Sequence, residues 1–471
     1  MTELPANLPF WRRGINFVRE ALRDDDRDYT VGPIGTALGL LAIPMMLEMS
    51  MEAVFAVVDI AFVSRLGIDA VAAVGITEAL ITVLYAVAVG LGMGVTAMVS
   101  RRIGAKDVDA AACVTGQALW VGAALSIGIG IGGAIYAKDM LLLMGASEGV
   151  VEIGSGYTAM LLGGSASILF LFLLNAAFRG AGDAAIALRA LWLAEGLNII
   201  LDPCLIFGWG PFPEMGVTGA AVATTIGRGT GVLYQLWYLF GGRGRLAFHL
   251  RHLRIVPRLI SRMLVISIGG VGQFLIATSS WILVMRIISL YGSNAVAAYT
   301  IALRMMEFIW LPAWGLGNAA ATLVGQNLGA NKSQRAEQSA WRAAKYNLVF
   351  MSTAAIILLT LAPGIVGLFT NDAEVIELGS TCLRILSVGF PIYAIGMIMT
   401  QALNGAGDTV TPTLINLVCF WLLLVPLAYW LATSIGLGPN GAFFATVVSE
   451  SLLTVLSVIV FRRGKWKTQV A

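Results

Sequence analysis

Twelve apolar runs, each longer than twenty residues, follow one another along this chain with only short polar stretches between them. Such runs leave few options. The hydrocarbon core of a bilayer offers backbone N–H and C=O groups no partner, so a crossing segment must satisfy its own, as an α-helix does. About 20 apolar residues cover the ~30 Å depth. The runs lie at about 34–65, 70–100, 109–136, 154–179, 184–208 and 216–241, then at 258–291, 294–327, 338–362, 375–404, 410–436 and 440–461. Several are long enough to imply tilt, kinks or ends projecting beyond the bilayer. Only 12% of the 471 residues are charged, against ~25% in soluble domains. The expected fold is an all-α polytopic membrane protein with twelve transmembrane helices.

Lys and Arg set the orientation. With the N-terminus inside, 24 of the 30 basic residues fall in the inner segments, two (Arg65 and Lys138) in outer ones, and Arg228, Arg286, Arg304 and Arg384 within spans. That asymmetry puts both termini in the cytoplasm of a multi-pass inner-membrane protein.

An internal repeat divides the chain. Asp69-Ala-Val-Ala-Ala-Val-Gly-Ile76 returns as Asn294-Ala-Val-Ala-Ala-Tyr-Thr-Ile301, an offset of 225. Ile103-Gly-Ala-Lys106 and Leu328-Gly-Ala-Asn331 share that offset, as do Arg179-Gly-Ala-Gly-Asp183 and Asn404-Gly-Ala-Gly-Asp408. Pro203 pairs with Pro426, and Gly219-Ala-Ala-Val-Ala-Thr224 with Gly441-Ala-Phe-Phe-Ala-Thr446. Six spans per half predict two homologous bundles, 34–241 and 258–461, related by an axis along the membrane normal. A segment at 1–33, a basic linker at 242–257 and a tail at 462–471 complete the chain. Trp11, Phe17 and Leu22 mixed with arginines and with the run Asp24 to Asp26 read as an amphipathic segment on the membrane surface, not a cleavable signal.

Several chemistries find no support. Cys113, Cys204, Cys382 and Cys419 are scattered through apolar runs, and His249 and His252 are the only histidines, so no catalytic or metal signature emerges. Gly128-x-Gly130-x-x-Gly133 lies inside a span without the strand–turn–helix context of a dinucleotide site, and no GxxxxGK[ST] occurs. The Gly-Ala-Gly-Asp pairs read as tight reversals in which Asp183 and Asp408 cap the next helix.

The informative residues are carboxylates inside spans, where ionisable groups are costly and mark functional sites. Glu48, Glu52 and Asp59 share one face of span 1, and Glu195, Asn198 and Asp202 one face of span 5. Pro203 denies a hydrogen bond to the Ile199 carbonyl and should kink span 5. Asp59, Asp202 and Thr224 fall at similar depth in the outer half. Their oxygens suit a proton or a hard cation such as Na+; a polar network that only holds helices together is the alternative. Val284 and Val425 stand where the second half would carry Asp59 and Asp202. Arg304 and Glu307 are i, i+3 neighbours placed to pair, while Arg286 and Arg384 line the cavity or snorkel.

Val58-Asp59, Phe62-Val63 and Leu66-Gly67, with Arg179-Gly-Ala-Gly-Asp183, Asn198-Ile-Ile-Leu-Asp202-Pro203 and Gly219-Ala-Ala-Val-Ala-Thr224, resemble the multidrug and toxic compound extrusion (MATE) family over residues 34–461. The valines of the second half look more like its DinF-type branch. The resemblance implies a V-shaped twelve-helix antiporter that exports organic, often cationic, compounds against inward H+ or Na+. It implies a cation site of Asp59, Asn198, Asp202 and Thr224 with the Ala220 carbonyl, these residues holding Na+ if that is the coupling ion. Glu48, Glu52, Glu78 and Glu195 fall outside the family pattern and are candidates for the substrate cavity. The expected protein is a monomer in the lipid bilayer, with no cofactor beyond H+ or Na+, no nucleic-acid partner and no enzymatic activity. A lipid-linked oligosaccharide flippase of the same superfamily is the alternative. Its anionic cargo favours a basic cavity, whereas the first six spans hold six acids against Arg228.

Overall fold

Helix boundaries follow the polar breaks and the glycines that relieve them. The computed structural model describes residues 10–23 and 27–469. Among these, α1 (Phe10–Ala21) precedes the first six spans: α2 (Ile34–Val63), α3 (Ile68–Gly104), α4 (Val108–Leu143), the pair α5 (Glu148–Gly163) and α6 (Ser165–Ala181), α7 (Ala184–Phe207) and α8 (Val217–Phe240). The second six are α9 (Pro257–Ser289), α10 (Ser293–Gly329), α11 (Ser333–Gly367), α12 (Ala373–Gly405), the segment Val410–Ser434 and α15 (Pro439–Arg462). In Val410–Ser434, α13 (Val410–Asn416) and α14 (Val425–Tyr429) alternate with π-helical turns. Among the described residues ten helical segments are individually long and apolar enough to cross a membrane, the α5–α6 pair makes an eleventh span, bent by 40°, and α8, which carries Arg228, is less apolar. The fourth run, expected as one helix over 154–179, is thus broken at Gly164. A β-carbon at Gly164 would press on the Thr225 side chain of α8, so close packing of α8 accompanies the bend.

The repeat is visible in the backbone. Lys106 and Asn331 are the two non-glycine residues with positive φ among those described, at 61° and 59°. Gly67 and Gly292 (φ 107° and 96°), Gly182 and Gly407 (95° and 89°), and Gly216 and Gly438 (56° and 60°) match in the same way. These are left-handed turns that only glycine takes without strain; the first three pairs keep the offset of 225, and Gly216 and Gly438 stand 222 apart, as Gly219 and Gly441 do.

One end of the molecule gathers the basic residues, and there the halves meet. Helices α2 and α3 pack against α10, and α3 against α9. Gln326 Nε2 donates to the Gly180 carbonyl at 3.0 Å and Thr322 Oγ1 to that of Arg179 at 3.2 Å. Gly104 and Gly329 carry no side chain here because a β-carbon on either would overlap the Gln326 or the Arg101 carbonyl. The segment before α2 straps the same end. Lys332 Nζ donates to the Thr30 carbonyl at 2.9 Å, and Asp28 accepts from the Thr30 amide and hydroxyl at 2.9 and 2.6 Å. Partial burial works against ionisation of Asp28. The Thr30 hydroxyl and amide, with Lys106 and Lys332, outweigh it and hold the carboxyl below the usual carboxylate range.

One expectation changes. Asp183 does not cap α7: its Oδ2 accepts from the Arg245 backbone N–H at 2.7 Å, which fastens the linker to the first half. Asp408 does serve its helix start, accepting from the Thr411 amide and hydroxyl at 3.2 and 2.8 Å. The linker itself is held down, with Trp120 Nε1 donating to the Leu253 carbonyl at 2.7 Å and Gln117 Oε1 accepting from Val256 N at 2.8 Å. In α1, Trp11, Ile15 and Val18 are exposed while Phe17 rests against Gly39 of α2. The run Asp24 to Asp26 lies outside the described residues.

Candidate functional site

Helices α7 and α8 lie side by side because α8 presents glycine where they touch. A β-carbon at Gly227 would overlap the Ala194 carbonyl. That approach brings Asn198 of α7 against Thr224 of α8. Asn198 and Asp202 are 1% and 0% exposed. The amide is oriented by its neighbours: its nitrogen donates to Asp202 Oδ2 at 2.8 Å, and its oxygen faces the Thr224 N–H and hydroxyl, both at 2.8 Å. Thr224 Oγ1 also reaches the Ala220 carbonyl at 2.9 Å. Across from this group, Asp59 of α2 has one carboxyl oxygen buried without a hydrogen-bond partner. Asp59 and Asp202 are close enough for their charges to act on each other. Among the described residues no three His, Cys, Asp or Glu side chains converge. The group therefore offers two carboxylates and neutral oxygens, a donor set for a proton or a hard monovalent ion.

A second charged group adjoins the first. Arg228 of α8 is 3% exposed. Its Nε lies 3.5 Å from Glu195 Oε1 and its Nη2 3.5 Å from Glu52 Oε1, while Nη1 donates to Tyr85 Oη at 2.6 Å. The guanidinium also lies 5.8 Å from the centre of the Phe55 ring and 5.7 Å from that of Tyr85. Burying Glu195 costs free energy unless a cation compensates it, and Arg228 is that cation.

A third group sits nearer the basic end. Glu48 is fully buried, with Oε1 3.1 Å from Arg179 Nη1 and 2.9 Å from the Asn175 amide nitrogen. Gln235 of α8 hydrogen-bonds Asn175 in turn. Arg179 thus turns inward as a counter-ion, rather than marking only the end of a span.

Between the halves, above the glycine contacts, lies a cavity of about 310 Å³. Glu48, Glu52, Tyr85 and Arg179 face it from the first half, Phe274, Trp314 and Gln401 from the second. A further chamber of about 440 Å³ continues from it into the second half past Met93, Phe274 and Trp314. Of the acids assigned to the cavity from sequence, Glu48 and Glu52 line it. Glu195 is enclosed behind Arg228, and Glu78 is exposed on α3 outside the lining. Ala220, Asn198, Asp202 and Thr224 are brought together, with Asp59 opposite. Sequence reasoning missed Arg228 and Arg179 as counter-ions and passed over Glu450, which lines the second chamber. The signal for Glu450 was present, because an acid in the middle of a span is costly.

Comparison with known proteins places this architecture. The MatE family profile matches the chain twice, over residues 44–204 and 270–430. The chain is 27% identical over 432 residues to a probable multidrug resistance protein NorM from Thermotoga maritima, covering 91% of this chain and 92% of that one. It is 28% identical over 399 residues to a FAD transporter from Shewanella oneidensis, covering 84% and 88%. Among solved structures, an outward-facing multidrug resistance MATE family transporter of the MOP superfamily superimposes with a TM-score of 0.86 at 26% identity, over 96% of this chain and 97% of that one.

Proposed function

The chain belongs to the MatE family of multidrug efflux transporters, and from that premise we propose that it is a secondary antiporter exporting organic, chiefly cationic, compounds in exchange for inward H+ or Na+. The observation that carries the coupling is the group at α2, α7 and α8. Among the described residues Asp202 is buried with only an amide to hold it, and Asp59 faces it with an unpartnered oxygen. Every other acid of this half that faces the cavity or lies behind it, namely Glu48, Glu52 and Glu195, has an arginine. Two carboxylates at one depth repel while both are ionised. A bound proton or Na+ removes that repulsion and draws α2, α7 and α8 together. The ion drives transport only by binding one shape of the bundle better than another.

Cation export is supported by the same charge pattern. A nucleotide or pyrophosphate cargo needs cationic groups free in the cavity, whereas Arg179 is taken by Glu48 and Arg228 by Glu52 and Glu195. With the basic end in the cytoplasm of the inner membrane, the closed glycine contacts belong to the cytoplasmic side. The protein acts in this reading as a monomer with both termini cytoplasmic.

The test is substrate binding in detergent over pH 5–8, with and without Na+, for wild type and Asp59→Asn. The expected result is an affinity that responds to one of the two ions in the wild type and to neither in the variant. A wild-type affinity indifferent to both ions would sink the coupling.

A further inference from the structure

Helices α3 and α10 are counterparts in the repeat, each 37 residues long, starting at Ile68 and Ser293. They meet across the axis that relates the halves, and at the basic end the contact is reciprocal. Gly104 meets the Gln326 carbonyl and Gly329 that of Arg101, the same two repeat positions with the halves exchanged. Equal repeat positions on this pair of helices therefore lie at equal depth on opposite sides of the axis. Some 26 residues from that contact, ~39 Å along the helix, Glu78 of α3 stands one position from the counterpart of Arg304 on α10. Glu78 is exposed, and among the described residues its carboxyl has no hydrogen-bond or salt-bridge partner. Gly75, on the same face of α3, has open space where a β-carbon would stand. Across the axis, Arg304 Nη1 lies 3.3 Å from Glu307 Oε2, both side chains partly exposed. Glu78 is close enough to Arg304 and Glu307 for their charges to act on one another. Glu307 lines the second chamber and Arg304 lies one turn beyond it, so the three charges stand between that chamber and the end opposite the basic one.

We propose that Glu78 and Arg304 are the latch of that far end: when the halves close there, Arg304 takes Glu78 as a second carboxylate across the axis while keeping Glu307. The chemistry suits the exchange. A guanidinium carries five N–H donors in a fixed fork, and Arg228 already serves Glu52 and Glu195 together in the first half. An arginine within a span needs a counter-charge in every shape the protein takes, and Glu307 supplies it while the halves stand apart. Glu78 has none until they close. The attraction across the axis strengthens as closure expels water, so it favours one shape over the other, as a latch must. Glu78 and Arg304 are thus a positioning pair, and neither belongs to the group of Asp59, Asn198, Asp202 and Thr224. The latch rests on the antiport reading only in needing two shapes that alternate, whichever ion drives them.

The experiment is a double-variant cycle on the full chain, read by gradient-driven ethidium efflux in proteoliposomes. Glu78→Gln and Arg304→Gln should each slow efflux about threefold. The two together should slow it no more than either alone, because the second substitution has no pair left to break. Losses that multiply, or single variants at the wild-type rate, overturn the latch. A second measurement reads the approach of the helices and leaves Arg304 in place, so it decides if Arg304→Gln does not fold. Gly75→Cys and Thr300→Cys are counterparts at the repeat's offset, exposed on the faces that carry Glu78 and Arg304. With the four native cysteines replaced by serine, a short bifunctional methanethiosulfonate should join the pair faster once a gradient sets the protein cycling. The link should stop efflux until it is reduced, and adding Glu78→Gln should slow its formation about threefold. Linking at one rate with and without Glu78→Gln overturns the latch, as does a linked protein that still exports. Efflux indifferent to both ions, with the cycle intact, removes the coupling alone. Coupled efflux with independent effects of Glu78 and Arg304 removes the latch alone.

Discussion

The side-chain nitrogen of Asn198 lies 2.8 Å from Asp202 Oδ2, so the amide is spent as a donor to the carboxylate while its oxygen faces Thr224. Asn198 thereby fixes Asp202 without neutralising it. A buried carboxylate satisfied by an amide keeps its charge available to a mobile cation, which a carboxylate paired with arginine does not. The two kinds of acid in this half, Asp202 on one side and Glu195 with Arg228 on the other, differ in that respect although both lie on α7.

Replacing Asp202 by Asn keeps volume and hydrogen bonding but removes the charge. Asp202→Asn is expected to fold like wild type and to lose ethidium efflux driven by a pH or Na+ gradient in proteoliposomes. Efflux at the wild-type rate would leave Asp202 the lesser role of holding helices together.

Arg228 serves two acids and a phenol. Arg228→Met strands Glu195 in the interior, a loss of about 3–5 kcal/mol by analogy with other broken buried pairs. Thermal melting should show the loss, and adding Glu195→Gln should restore part of it. If the double variant were no more stable than the single one, the pairing would not be what Arg228 contributes.

Gly104 and Gly329 let the halves touch at the basic end, where a side chain on either would overlap a backbone carbonyl of its neighbour. Gly104→Val should force that end apart. Spin labels on Ser333 and Asp107 should then report a longer distance than in the wild type, with a fall in transport. An unchanged distance would show that the contact yields cheaply.

Asp28 is held below the usual carboxylate range by the Thr30 groups and two lysines. A depressed folded-state value contributes stability above the unfolded value, ~3.9, and that contribution disappears as pH falls through the folded value. Asp28→Asn should therefore lower the melting temperature at pH 6–7 and make little difference near pH 2–3. A melting difference independent of pH would mean that the turn, and not the charge, holds the strap.

Much of the fold was legible in the sequence. The twelve apolar runs carried the spans, and the offset of 225 carried the repeat down to Lys106 and Asn331, whose shared left-handed backbone the matching Ile-Gly-Ala-Lys and Leu-Gly-Ala-Asn segments had marked. The clustering of Asn198, Asp202 and Thr224 was also readable, since i, i+4 spacing and equal depth suffice to bring them near one another. The break at Gly164 was not, because glycines such as Gly128 and Gly132 sit inside an unbroken helix, and what sets Gly164 apart, its close approach to Thr225 of α8, exists only in the packed structure.

What the sequence determined by itself is decided within a few residues of chain: whether a run is apolar enough to cross, where a glycine must turn it, and which residues share a helix face. What only the tertiary structure decided is which face meets which. Glu48 finds Arg179 131 residues away, Arg228 finds Tyr85 across 143, and Glu450 shares its chamber with tryptophans, with no cationic side chain among the described residues lining it. Those outcomes depend on the rotation and depth of helices distant in the chain, set by glycine contacts such as Gly227 on Ala194. Helical periodicity says which side chains stand together on a face, but only packing says what charge stands opposite them.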